Sequence, residues 1–108
     1  MIGSDFKTLG AILKLLGEPS RLRILHALGV DCRPVNDIVH ATGLTQTNVS
    51  FHLRLLRQAG LVRPERRGPF VYYCLPDGRL LDILDYLAAW IETRHEAERD
   101  QQRAVSGP

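Results

Sequence analysis

Apolar residues recur at helical spacing near both ends of the chain and alternate with polar ones only in one stretch between. Phe6, Leu9, Ile12, Leu13 and Leu16 predict a first helix from Asp5 to Leu16, stopped by Gly17. Glu18-Pro19 opens a second, proline being well tolerated in a first turn, with Leu22, Ile24, Leu25 and Leu28 as its buried stripe and Gly29 as its end. Cys32 to Val35 is expected to be extended, because the residue before Pro34 is pushed away from helix. A short helix follows from Asn36 to Thr42, carrying Ile38 and Val39 and closed by Gly43. Leu44 packs inward, Thr45 caps, and a longer helix runs to about Ala59 with Val49, Leu53 and Leu56 inward at i, i+4 and i+7. Leu61 to Arg67 and Phe70 to Leu75 alternate across Gly68-Pro69 and predict a hairpin. From Gly78 to about Arg99 a long helix carries Leu80, Leu81, Ile83, Leu84, Leu87, Trp90 and Ile91.

The predicted order, α-α-α-α-β-β-α, is mainly helical with a small β-hairpin: a winged helix-turn-helix with a helix added at each end. At 108 residues there is room for one domain, expected over residues 1–100, with 101–108 as a frayed, flexible tail. So short a chain gains from a subunit partner. Hydrophobic content of 44% and charged content of 24% suit a globular protein, and no apolar run approaches the roughly 20 residues that span a bilayer. Residues 1–5 lack the basic and apolar parts of a signal peptide, so the expected compartment is the cytoplasm, with no membrane partner.

The net charge is only +2, but it is unevenly placed. Between Thr45 and Gly68 stand Arg54, Arg57, Arg63, Arg66 and Arg67 against Glu65 alone, a balance of +4; Pro76 to Arg103 holds four arginines against seven acids, a balance of −3. Such polarity suits a protein with one face toward phosphates. Within the basic island, Thr45, Gln46, Thr47, Asn48 and Ser50 crowd the first turn of the predicted fourth helix. They are short or planar hydrogen-bonding residues, and glutamine and asparagine can bond adenine bidentately in the major groove. Arg54 and Arg57 lie further along, where phosphate contact is the expected task. His52 either joins this face or bonds the neighbouring helix. Arg63, Arg66 and Arg67 flank the hairpin tip and either reach an adjacent groove or form a solvated loop. Residues 43–68 are thus the candidate interface with double-stranded DNA.

Three stretches resemble the ArsR/SmtB family of winged-helix repressors. They are Leu16-Gly17-Glu18-Pro19-Ser20-Arg21-Leu22-Arg23-Ile24-Leu25, the run from Gly43 to Val62, and the wing Gly68-Pro69-Phe70-Val71-Tyr72-Tyr73-Cys74-Leu75. The resemblance covers roughly Leu9 to Ile91. It implies a homodimer built by the first and last helices, operator binding in the unliganded state, and release by an inducer the sequence does not name. The metal-sensing members often carry Cys-x-Cys before the third helix, where this chain has Pro34-Val35-Asn36. Other members place ligands at both ends of the last helix, where this chain has Asp77-Gly78-Arg79 and, later, Trp90 and Thr93. No metal ligand and no cofactor are therefore expected. Asp82, His95 and Glu98 keep a shifted 13-then-3 spacing, but Leu84 replaces the first histidine, so the set is read as a charged, solvated helix end in preference to a weak zinc site.

Cys32 and Cys74, 42 residues apart, form neither a CxxC pair nor a multi-disulfide framework. In a winged helix the segment before the third helix pairs with the second wing strand. That would set Cys32-Arg33-Pro34-Val35 antiparallel to Tyr72-Tyr73-Cys74-Leu75 and bring the two cysteines together. They are read either as a dithiol sensor, open to oxidation, reactive sulfur or trivalent arsenic, or as a strand hydrophobe (Cys74) and an incidental neighbour (Cys32). The functional alternatives are a winged-helix module that binds protein, against which the polar turn Thr45–Ser50 argues, and a repressor with no metal or thiol sensing. No nucleophile–base–acid grouping or phosphate loop suggests an enzyme.

Overall fold

The computed structural model describes residues 5–106. The chain divides into two compact units, Met1–Gly78 and Arg79–Pro108. The first contains α1 (Phe6–Leu16), α2 (Pro19–Leu28), β1 (Arg33–Pro34), α3 (Val35–Thr42), α4 (Gln46–Gln58), β2 (Arg63–Arg67) and β3 (Phe70–Cys74). The second is a single long helix, α5 (Arg79–Ser106). Among the described residues, no helix is long and apolar enough to cross a membrane.

The helix boundaries follow the side chains that satisfy terminal backbone groups. Glu18 caps α2, its carboxylate accepting from the Ser20 N–H at 3.2 Å, with Pro19 in the first turn. Thr45 caps α4, its hydroxyl accepting from the Asn48 N–H at 3.1 Å. Between α3 and α4 the chain must reverse within three residues. Gly43 does this at φ +73°, a left-handed value that a side chain disfavours, and its N–H donates to the Val39 carbonyl at 2.9 Å. Thr42 braces the same turn: its hydroxyl donates to the Ile38 carbonyl at 2.7 Å and accepts from the Leu44 N–H at 3.3 Å.

The core of the first unit is Leu16, Ile24, Leu25, Leu28, Ile38, Val49, Leu53, Leu56, Val62 and Cys74. It joins the inner faces of α2, α3 and α4 to the end of the wing. The predicted inward positions of α4 are all buried. The predicted buried stripe of α2 is overstated at one position, and the apolar face of α1 is mostly open. Leu22 is exposed, and of the five apolar positions in α1 only Leu16 is buried; Phe6 is 61% and Leu13 51% exposed. A helix packed against one neighbour needs only its inner edge covered, so periodicity marks an apolar face without saying what covers it.

The sheet is antiparallel in the order β1-β3-β2. β2 and β3 pair from Arg63↔Cys74 to Arg67↔Phe70, and β1 joins β3 through Arg33↔Tyr73 and Pro34↔Tyr72. The hairpin turns at Gly68, whose φ of +61° followed by proline is the sign pattern of a tight two-residue turn that suits twisted strands. The expected β1–β3 pairing therefore forms, and the strand segments are shorter than Leu61–Arg67 and Phe70–Leu75. Helix α5 extends past Arg99 through Gln101 and Gln102 to Ser106, since no glycine or proline interrupts it before Gly107.

Candidate functional site

Helix α4 presents two unlike sides. Val49 and Leu56 are fully buried and Leu53 nearly so, whereas Thr45, Gln46, Thr47, Asn48, Ser50, Arg54 and Arg57 are exposed. Gln46, Thr47, Ser50, Phe51 and Arg54 line a shallow open groove. Arg54 stacks over the Phe51 ring, its guanidinium carbon 5.7 Å from the centroid, which fixes the charge along the helix edge. The N-terminal turn also carries the positive end of the helix dipole, so it favours an anionic partner.

His52 sits differently from its neighbours in sequence. It is half-buried, and its Nδ1 accepts from Arg21 Nη1 at 3.2 Å, while Arg21 Nε donates to the Leu15 carbonyl. Arg21 thus ties the end of α1 and the side of α2 to α4. Burial, and secondarily the Arg21 charge, hold the His52 imidazole below its ordinary pKa, against an opposing pull from Glu18. Of the two roles read from the sequence, the geometry gives His52 the bond to a neighbouring helix.

The wing arginines Arg63, Arg66 and Arg67 are exposed; Arg66 and Arg67 flank the tip as expected, but Arg63 lies at the other end of the hairpin, opposite Cys74. Arg67 is not free: its Nε lies 3.5 Å from Glu65 Oε1, and its guanidinium carbon is 4.6 Å from the Tyr72 ring centroid. The sheet register explains this set. Residues opposite one another share a face, and that face continues at every second residue, so Arg63, Glu65, Arg67, Tyr72 and Cys74 lie on one side of the hairpin. Extending the β1–β3 register by one residue puts Cys32 beside Cys74.

Cys32 and Cys74 are joined as a disulfide with Cα atoms 4.3 Å apart. Cys32 is therefore no incidental neighbour, and Cys74 is more than a strand hydrophobe. Glu65 completes the group. Its Oε2 stands 3.4 Å from Cys32 Sγ and 3.3 Å from Cys74 Sγ, and one ligand atom from each residue falls within 4.8 Å of the others. Sequence reasoning passed over Glu65, counting it only as the lone acid of a basic stretch. The hairpin alternation held the missing signal, because a Gly68-Pro69 turn sets Glu65 on the face of Cys74. The shifted candidate Asp82, His95 and Glu98 does not assemble within one chain: thirteen helical residues separate Asp82 from His95 by about 20 Å.

The comparisons agree with this architecture. A family model described as a helix-turn-helix domain matches residues 16–65. The transcriptional regulator NmtR of Mycobacterium tuberculosis is 42% identical over 73 residues, which are 68% of this chain and 61% of that protein. The regulator CmtR of Mycobacterium bovis is 40% identical over 100 residues, covering 87% of this chain and 80% of that one. Among solved structures, the homodimeric winged helix-turn-helix DNA-binding domain of Mb0332 from Mycobacterium bovis, a possible ArsR-family regulator, aligns with a TM-score of 0.68. It is 29% identical, over 82% of this chain and 88% of that one. The capped polar turn, the basic wing and the sequence likeness along most of the chain meet in one assignment: the chain belongs to the ArsR/SmtB family of winged helix-turn-helix transcriptional regulators.

Proposed function

We propose that this chain is a cytoplasmic homodimeric repressor that binds operator DNA through α4 and the wing and is released by thiol chemistry at Cys32 and Cys74. The observation that carries the DNA reading is the exposed, weakly charged hydrogen-bonding turn Thr45–Ser50, flanked by exposed arginines along α4 and at the wing tip. Thr45, Gln46, Thr47, Asn48 and Ser50 face base edges, while Arg54, Arg57, Arg63, Arg66 and Arg67 neutralise phosphates. Dimerisation uses the apolar residues that α1 and α5 leave open, among them Phe6, Leu13, Ile83 and Trp90. The family membership and the homodimeric state of the Mb0332 domain support that assembly. The sensor reading rests on the bonded cysteine pair, one of whose members ends the DNA-facing hairpin. Opening or closing that bond changes what holds β3 to the segment before α3, and so biases the wing.

A fluorescence-anisotropy titration against the DNA upstream of its own coding region tests the reading. Sequence-selective binding at physiological salt, by a species whose mass is that of two chains, is the expected result. Binding that is equal on scrambled DNA, or absent, would overturn it. For the sensor, the oxidised and phosphine-reduced forms should differ in operator affinity, and Cys32→Ser should abolish the difference.

A further inference from the structure

We infer that, once reduced, Cys32, Cys74 and Glu65 form a binding site for one thiophilic divalent cation of the zinc class. The inference deepens the thiol reading of the same pair by naming the ligand class, and it adds Glu65 as the third ligand. Three segments supply the donors: the residue before β1, the end of β3 and the middle of β2. The register places all three on one face of the sheet, so no large backbone movement is needed to converge them.

The distances suit a tetrahedral ion. With metal–sulfur and metal–oxygen bonds of about 2.3 and 2.0 Å, a tetrahedral site sets sulfur and oxygen donors about 3.5 Å apart. Glu65 Oε2 already stands 3.4 and 3.3 Å from the two sulfurs. The sulfurs must part from bonding distance to about 3.8 Å, the corresponding sulfur–sulfur edge. Side-chain rotation on neighbouring backbones 4.3 Å apart accommodates that change. Cys74 is buried and Cys32 and Glu65 are half-buried, which leaves the cation shielded on one side and open to a water as fourth ligand on the other. Glu65 is positioned by its second oxygen, since Oε1 faces Arg67.

The chemistry balances in two steps. A dithiol reductant transfers two electrons and two protons to the disulfide, giving two protein thiols and its own disulfide. The cation then displaces both thiol protons and binds two thiolates and one carboxylate oxygen. Disulfide and cation are mutually exclusive occupants of the site, so oxidation blocks metal and bound metal protects the thiols from oxidation.

The test uses the full chain without DNA, so its failure is distinguishable from failure of the regulator reading. Phosphine-reduced protein, freed of reductant under anaerobic conditions, is titrated with Co(II), whose thiolate complexes show charge-transfer absorption. One Co(II) per chain, a charge-transfer band displaced by Zn(II), and no band from the oxidised protein are expected. Glu65→Gln should keep the band but bind about tenfold or more weakly. An unchanged melting curve of its oxidised form will show that the fold is kept. Full affinity in Glu65→Gln, one ion per two chains, or binding without the band would overturn the assignment.

Discussion

The first turn of α4 and the sulfur–carboxylate group at the far end of the wing are built on opposite plans. Its polar side chains Thr45, Gln46, Thr47, Asn48 and Ser50 on the turn are all exposed, and apart from the capping Thr45 they are left to meet a partner. In the sulfur group each member already touches another: Cys32 and Cys74 are bonded, and Glu65 faces both sulfurs and Arg67. The turn is suited to reading an outside surface, whereas the sulfur group is suited to changing state. The contrast also separates what each region costs the fold. The exposed side of α4 makes only local contacts among the described residues, the Thr45 cap and the Arg54–Phe51 stack, whereas the cysteine pair ties together segments 42 residues apart.

That difference can be tested from the largest effect downward. Leu53→Ala, on the underside of α4, should lose about 2–5 kcal/mol in a denaturant titration through the cavity it leaves. Ser50→Ala, on the open side of the same helix, should stay within about 0.5 kcal/mol. Comparable losses would mean that the two sides are not separate. Reducing the disulfide should lower unfolding free energy by about 2–4 kcal/mol, as the unfolded chain regains the freedom of a long loop. A reduced form as stable as the oxidised one would show that packing alone holds β1 to β3.

On DNA, Gln46→Ala should cost about 1–3 kcal/mol of discrimination against substituted operators while leaving non-specific affinity unchanged. Arg66→Ala should instead weaken all sequences alike and reduce the slope of log affinity against log salt by about 1. If the two variants behave alike, base reading and phosphate contact are not divided between helix and wing. The smallest effect concerns His52, whose folded pKa lies below its unfolded value. The unfolded chain then binds more protons at mildly acidic pH, so the stabilisation is present above about pH 6.5 and is lost as pH falls through the folded pKa. His52→Gln should flatten the thermal midpoint between pH 7 and pH 5, relative to the parent chain.

Much of the reading surface was legible in the residues because it depends on neighbours in sequence. Thr45 caps because its hydroxyl reaches an N–H three residues on, and Val49, Leu53 and Leu56 turn inward because a helix repeats every 3.6 residues. The exposed side of α4 is then fixed by subtraction. The same local logic overreached at Leu22, where an apolar position does not state what covers it. It also left His52 open between two roles, since only the approach of Arg21, 31 residues away, decides between them.

By itself, then, the sequence determined the helix and hairpin order, the capped polar turn and the basic wing, all set by contacts within a few residues. Tertiary structure alone decided that Cys32 and Cys74 are bonded, that Glu65 completes their group and that Arg67 is held by Glu65. The physical reason is strand register. A slip of one residue between β2 and β3 would turn Glu65 to the other face of the sheet; the Gly68-Pro69 turn sets that register locally, but only the pairing of β1 with β3 brings Cys32 onto the same face.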